Sequence, residues 1–299
     1  MDKAIVSQLR SLVRGSYDLQ QMRIQAGLRL VSTFKSRLGV DLTEKEDDLE
    51  DPKAKEMLAD ARAAMKRLSD YVAKVRPKGF KPEGIIDNYT EYVLAKIYLR
   101  LEEEEKYSFS QLEKVLDAFP IYTEYLKSVT GCGPAMSAII ITEVDITKCK
   151  YPSSLWKYAG LDVAPDGKGR SRKSEHLVDR EYKSKTGEMK TKKALTYNPW
   201  LKSKLTAVLG ASFLRMGPER SKYARIYYDY KHRLTCRPDL SDVAKMDIHR
   251  KAIRYMIKMF LLDLHVFWRG LEGLEVSKSY HEAKLNHVHS SPTKQIGLL

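Results

Sequence analysis

Between residues 2 and 38 the apolar side chains Ile5, Leu9, Leu12, Val13, Leu19, Met22, Leu28, Val31, Phe34 and Leu38 recur at steps of three and four. Arg and Gln fill the gaps. That period draws one stripe along a helix and is incompatible with a strand, whose faces alternate every two residues. A helix of this length gains most of its stability by burying such a stripe. The acidic run 44–51 interrupts the pattern, and Pro52 then sits where a first helical turn tolerates proline. A second amphipathic helix is predicted over residues 53–75. Two long helices with a short acidic connection imply an antiparallel hairpin or a dimeric coiled coil. The stripe's period does not say whether it meets this chain's second half or another copy.

The breaker cluster 76–83 (RPKGFKPE) predicts a hinge, and further helix is expected over 85–105 and 110–130, with Ser108 or Ser110 as N-cap of the latter. The run Glu102–Glu105 reads as a solvated face. No internal repeat is evident.

Charge is the next constraint. The 299 residues carry 53 Lys+Arg against 39 Asp+Glu, a net of +14. Residues 1–120 hold 21 of each sign, so the whole excess lies in residues 121–299. Such segregation points to a polyanionic partner for the second half. With 43% hydrophobic residues the chain can bury a core. Three scattered cysteines, Cys132, Cys149 and Cys236, make neither a disulfide framework nor a zinc ribbon. The N-terminus shows no secretion signal, and the best apolar stretch, 256–268, is broken by Lys258, Asp263 and His265. A soluble, cytoplasmic, nucleoid-associated protein is expected, with no membrane partner.

The segment 126–144, LKSVTGCGPAMSAIIITEV, predicts a helix, a tight turn through Gly131 and Gly133, and a second helix opened by Pro134. Free N–H groups and a helix's positive end at such a turn suit a phosphate. An ordinary joint between core helices would read the same way. Between residues 148 and 204, however, 15 Lys+Arg face 6 Asp+Glu. The expected flexible basic loop 167–174 offers Lys168, Arg170, Arg172 and Lys173, and Lys183, Lys185, Lys190, Lys192 and Lys193 continue it. With Thr130, Gly131 and Gly133 these are the predicted nucleic-acid contacts. Arg250, Arg254 and Lys258 form a second basic stripe, opposite Ile253, Ile257 and Phe260. Tyr223, Tyr227 and Tyr230 share a helix face and fit either base stacking or packing. His249 and His265 read as core or groove residues, and His287 with His289 as a chance pair. No metal and no cofactor are expected.

The blocks VTGCGPAMSAIIITEVDI (129–146), SSLWKYAGL (153–161), the Gly- and basic-rich loop 166–174, LTAVLGASFLRMG (205–217), SKYARIYYDYKHRL (221–234) and HRKAIRYMIKMFLLDLHVFWRGLEG (249–273) occur in an order and spacing that resemble a known family. It is the C-terminal transposase domain of the DEDD-type, bridge-RNA-guided insertion-sequence transposases. The resemblance implies DNA transposition or recombination. It also implies an N-terminal RNase H-like domain with four metal-binding acidic residues, which this chain is expected to lack, residues 39–42 being the one strand-like scrap. The family's nucleophilic serine falls at Asp166 here, which leaves Ser171 and Ser174 either as polar loop residues or phosphate contacts or as substitute nucleophiles, with only distant carboxylates or His176 on offer as a base.

The expected architecture is therefore all-α. A long helical, coiled-coil-like region (1–120) precedes a compact domain with a helix-hairpin-helix (121–274) and a polar tail (275–299). The expected function is transposase-like DNA binding through backbone phosphates, as a homo-oligomer joined by the N-terminal helices, in a protein that either works beside a separate nuclease or derives from such an enzyme and has lost its chemistry. The alternatives are a serine recombinase of altered design, and a non-enzymatic nucleoprotein assembly protein that binds structured RNA.

Overall fold

The N-terminal stripe forms one helix, α1 (Lys3–Arg37), in a computed structural model that describes residues 2–37, 39, 51–74, 81–82 and 85–277. The acidic run 44–50, most of the 76–83 hinge, the 39–42 scrap beyond Gly39, and the His287/His289 pair lie outside the described residues. Two compact units form, one of residues 11–112 and one of residues 1–10 with 113–299.

In the 11–112 unit, α1 is partnered by α4 (Tyr89–Leu116), two helices further along the chain. Tyr17 meets Phe109 edge-on at 5.3 Å, Ser16 Oγ lies 2.6 Å from Ser108 Oγ, and Gln20 and Arg23 both reach the Glu105 carboxylate. Arg37 pairs with Glu91 at 3.2 Å. Numbers rise on one helix as they fall on the other, so the pair is antiparallel. Glu105, expected on a solvated face, is therefore buried, its carboxylate held by the Arg23 guanidinium and the Gln20 amide. Leu30, Phe34, Leu68, Ile86, Tyr92 and Ala95 form the apolar cluster of this unit. Met22 and Leu28 of the stripe stay exposed, as does Ile24 outside it.

The helix expected over 53–75 breaks into α2 (Pro52–Met65) and α3 (Leu68–Lys74) at a Lys66–Arg67 turn, which lets Leu68 enter the cluster. Conversely, the two helices expected over 85–105 and 110–130 begin as one. Neither Ser108 nor Ser110 caps anything, since both lie inside α4, where the Ser110 hydroxyl donates to Tyr107 O. Asn88 is the cap: its Oδ1 accepts the Glu91 N–H at 2.9 Å, while the Glu91 carboxylate accepts the Asp87 N–H at 2.8 Å.

The larger unit continues with α5 (Pro120–Glu124), a 3-10 turn (Leu126–Ser128), α6 (Pro134–Glu143) and α7 (Pro152–Tyr158). Next comes an antiparallel pair, β1 (Val178–Lys183) and β2 (Met189–Ala194). Then α8 (Pro199–Ser203) passes through a π-turn (Lys204–Leu209) into α9 (Gly210–Met216), followed by α10 (Lys222–Thr235) and α11 (Lys245–Leu271). The architecture is all-α but for that ribbon, which replaces the flexible loop expected beyond residue 174. The approach to the 131–134 turn is likewise α5 plus a 3-10 turn, because Pro120 starts a new helix. No helix among the described residues is long and apolar enough to cross a membrane.

Helix α11 is the axis of this unit. Ile257, Phe260, Leu261, Leu264, His265 and Trp268 are all fully buried, so this part of the helix is enclosed on every side. Phe213, Tyr223 and Phe260 pack ring to ring at 4.8–5.6 Å. The His265 Nε2–H donates to Cys149 O at 2.8 Å, and buried Arg269 donates to Ile146 O and Cys149 O at 3.2 Å. Of the tyrosine face, Tyr223 and Tyr227 are core, and Tyr230 stacks on Tyr255 at 4.1 Å.

The two glycines of the turn differ. Gly131 has φ +96°, and a Cβ there would stand 2.9 Å from the Phe213 ring. Gly133 has φ −75° with open space around it. Sequence alone gave both the same role. Gly131→Ala should cost about 1–3 kcal/mol in urea unfolding, and Gly133→Ala should stay within about 0.5 kcal/mol of the parent.

Candidate nucleic-acid interface

The loop after α7 is tied down by its own side chains. Arg170 pairs with Asp162 at 2.8 Å, and its N–H donates to Asp162 O at 3.2 Å. Ala164 N–H donates to Lys168 O at 2.8 Å, and Asp166 Oδ1 accepts the Lys168 N–H at 2.9 Å. A short 3-10 turn (Ser174–His176) then carries the His176 ring inward to 2% exposure. Its Nδ1 accepts the Ser171 N–H at 3.0 Å and lies 2.8 Å from Ser171 Oγ. A backbone N–H can only donate, so Nδ1 carries no proton and the Nε2–H donates to Asp166 Oδ2 at 3.1 Å. The Lys168 N–H, and then His176, hold the Asp166 carboxyl below the usual carboxylate range. Ser174 stays exposed at the start of the 3-10 turn.

Beside this loop lies a cleft of about 550 Å³ lined by Lys202, Thr206, His249, Arg250, Ile253 and Arg254. Arg254 lies against Gly169, where a Cβ would overlap its guanidinium. Lys202 Nζ donates to Arg170 O. Burial, with repulsion from Arg254 and Arg170, pushes Lys202 down to about 8. Burial and Arg250 lower Arg254, and burial and Arg254 lower Lys258, whose ammonium rests over the Trp156 ring at 5.4 Å. Asp162 attracts Lys202 and Lys258 but is itself paired with Arg170. Among the described residues, no carboxylate makes an ion pair with Lys202, Arg254 or Lys258. The π-turn beside them gives α8–α9 the wider local turn that often marks functional sites.

Register sorts the ribbon's charges. Val178, Arg180 and Tyr182 face the same way as their partners Ala194, Lys192 and Lys190, so that side carries three cations, of which Lys190 pairs with Glu188 of the turn at 3.4 Å. The opposite side combines Lys183 and Lys193 with Asp179 and Glu181, and Lys193 pairs with Asp179 at 2.9 Å. The ribbon residues are exposed, apart from half-buried Ala194.

Of the contacts named from sequence, Lys168, Arg172 and Lys173 are exposed on the loop, and Lys185 on the ribbon turn. Arg170 is committed to Asp162. Thr130 lines a separate cleft of about 330 Å³ with Arg220 and Lys222, the latter paired to Asp263 at 2.8 Å. Arg250 and Arg254 share the larger cleft. Lys202 and Arg180 escaped notice because neither stands in a basic run.

Lys202 offers a direct check. Its folded-state value lies below that of an unfolded lysine, so the unfolded chain binds more protons between about pH 8 and 10, and this group's contribution to stability rises with pH across that window. Lys202→Met should therefore be more stable than the parent at pH 7 in urea unfolding, with the advantage shrinking towards pH 10.

Residues 123–225 match the transposase IS116/IS110/IS902 family. No curated protein and no solved structure matches the chain. The match spans the turn at Gly131, the Asp162–His176 loop, the ribbon, α8, α9 and the first residues of α10. The segment that builds most of the interface is thus the one that carries the similarity to the IS116/IS110/IS902 transposases, and that similarity supports a transposase-related role.

Proposed function

We propose that this protein binds DNA during transposition, chiefly through backbone phosphates. The carrying observation is the pair Lys202 and Arg254, half-buried in one cleft without a carboxylate partner; Arg250, which also lines it, is exposed and pairs with Asp247 at 3.0 Å. Burying cations side by side without carboxylates costs stability, and an anion seated among them relieves both burial and repulsion. The ribbon side of Arg180, Lys190 and Lys192, net positive despite the Lys190–Glu188 pair, extends the same sign of charge, and a two-stranded ribbon has the width to enter a major groove. Lys168, Arg172 and Lys173 add sequence-independent attraction, while the turn at Gly131 and the N-terminus of α6 offer N–H groups to a further phosphate.

Gel retardation of a 30-base-pair duplex tests this. Affinity should fall steeply and linearly in a plot of log K against log salt, since each neutralised phosphate releases counterions. Glu substitutions at Arg180, Lys190 and Lys192 together should weaken binding at least tenfold more than Glu at Lys183 and Lys193. Affinity should also drop between pH 7 and pH 9 as Lys202 loses its proton, and Lys202→Arg should remove that drop. A flat salt response, or equal effects from the two ribbon faces, would sink the reading.

A further inference from the structure

We propose that the Lys202 amine forms an imine with the open-chain aldehyde of a deoxyribose that has lost its base, so that the cleft captures abasic sites in DNA covalently and reversibly. The placement of the amine is the first ground. Lys202 is half-buried in the lining of the cleft, its Nζ donates to Arg170 O, and it rests over the Tyr197 ring at 4.6 Å. The charges that act on it are Arg254 of α11 and Asp162 and Arg170 of the loop. Burial and Arg254, with a further push from Arg170, outweigh the pull of Asp162 and bring the lysine down to about 8. Roughly a tenth of the amine is then neutral at pH 7, against about one in three thousand for an ordinary lysine. The neutral form is the one that attacks a carbonyl carbon, and it keeps a free lone pair while one N–H donates to Arg170 O.

The surroundings of the amine are the second ground. Arg250 and Arg254, one turn apart on α11, suit the two phosphates that flank an abasic sugar, while Leu214 and Ile253 give the lining an apolar stretch for the deoxyribose carbons. The volume of about 550 Å³ lies in the range of clefts that enclose small ligands. A sugar that still bears its base has no aldehyde, so an intact nucleotide gives this amine nothing to attack. Asp162 Oδ2 is held by Arg170, but its Oδ1 is buried without a hydrogen-bond partner. A carboxylate oxygen orphaned in this way, and already attracting Lys202, is the counter-ion that a lasting positive charge on Nζ requires. The DNA reading above supplies the polymer and its phosphates, and the proposal rests on that reading for this alone.

The step balances without a co-reactant. The Nζ–C1′ bond forms as the carbonyl's π pair moves to its oxygen. Both amine protons then leave with that oxygen as one molecule of water, which gives the neutral imine, and a solvent proton converts it to the iminium. The iminium keeps one N–H, which Arg170 O can still accept. Addition of water returns the amine and the aldehyde, so nothing is oxidised or reduced.

The test incubates the full chain and sodium cyanoborohydride with duplexes of equal length: one with a single abasic site, one with its tetrahydrofuran analogue, which has no aldehyde, and one intact. Hydride reduces an imine to a stable secondary amine. A covalent protein–DNA band should therefore survive a denaturing gel with the abasic duplex alone, and mass spectrometry after nuclease digestion should place the sugar on Lys202. The band should vanish in Lys202→Arg, compared at protein concentrations that saturate the duplex and at an unchanged melting temperature. Arg254→Met removes a charge that favours the neutral amine, so the pH of half-maximal trapping should rise, a shift that loss of phosphate affinity alone would not give. The imine is overturned if no band forms, if the sugar is found on Lys168, Lys173 or the ribbon lysines instead, if Lys202→Arg traps like the parent, or if Arg254→Met leaves the midpoint unchanged. Retardation of all the duplexes without trapping would overturn the imine and leave the DNA reading standing. Trapping of free 2-deoxyribose 5-phosphate on Lys202, with no duplex retarded or trapped, would overturn the DNA reading and leave the reactive amine standing.

Discussion

The larger unit depends on one helix that has no solvent side along its second half. From Ile257 to Trp268, α11 buries Phe260, Leu261, Leu264, His265 and Trp268, and a helix with buried residues on every face must be encased by its neighbours. Helices α7, α9 and α10 supply the casing, with the Trp156 indole donating to Lys258 O at 3.1 Å and the Phe213–Tyr223–Phe260 rings closing one side. His265 and Arg269 then bind the carbonyls around Cys149, which a purely apolar helix end would leave unpaired. Because the second half is fixed, the first half is aimed. Arg250 and Arg254 line a cleft, and Arg254 lies against the loop at Gly169. The interface is thus a by-product of how the core is closed.

Much of this was legible in sequence where period alone decides. Helix α1 and the long final helix follow from apolar steps of three and four. The helical pattern from Pro199 to residue 217 was also readable, although the π-turn inside it was not, since one extra residue per turn barely disturbs the pattern. Breaks decided by tertiary packing were invisible. Nothing local to Lys66 and Arg67 announces a turn, which follows from where Leu68 has to be buried. The reverse holds for Ser108 and Ser110, which look like caps and instead sit inside α4 because Asn88 and Glu91 start that helix earlier. The ribbon was missed because its strands have no buried face, so the alternation that betrays a strand is absent. Ser171 and His176 were named together from sequence, but not as hydrogen-bonded to each other and to Asp166. That arrangement depends on a 3-10 turn that swings the imidazole inward, a property of backbone geometry rather than of spacing.

The net positive charge of residues 148–204 suggests a diffuse cationic cloud, and the structure organises it differently. Each acidic side chain that the loop spends is used internally. Asp162 neutralises Arg170 and fixes the loop's closing end, and Asp166 accepts from Lys168 N–H and from His176. The loop thereby hides two of its carboxylates in its own scaffolding and leaves Lys168, Arg172 and Lys173 facing outward. On the ribbon the same sorting is done by register, with Asp179 and Glu181 confined to one side and Arg180, Lys190 and Lys192 to the other. Exposed ion pairs contribute little to stability, so an Asp179–Lys193 pair is better understood as removing a carboxylate from the basic side than as bracing the ribbon. Fold and field are set by the same few acidic residues: those that shape the loop and the ribbon are, for that reason, the ones that do not repel an anion.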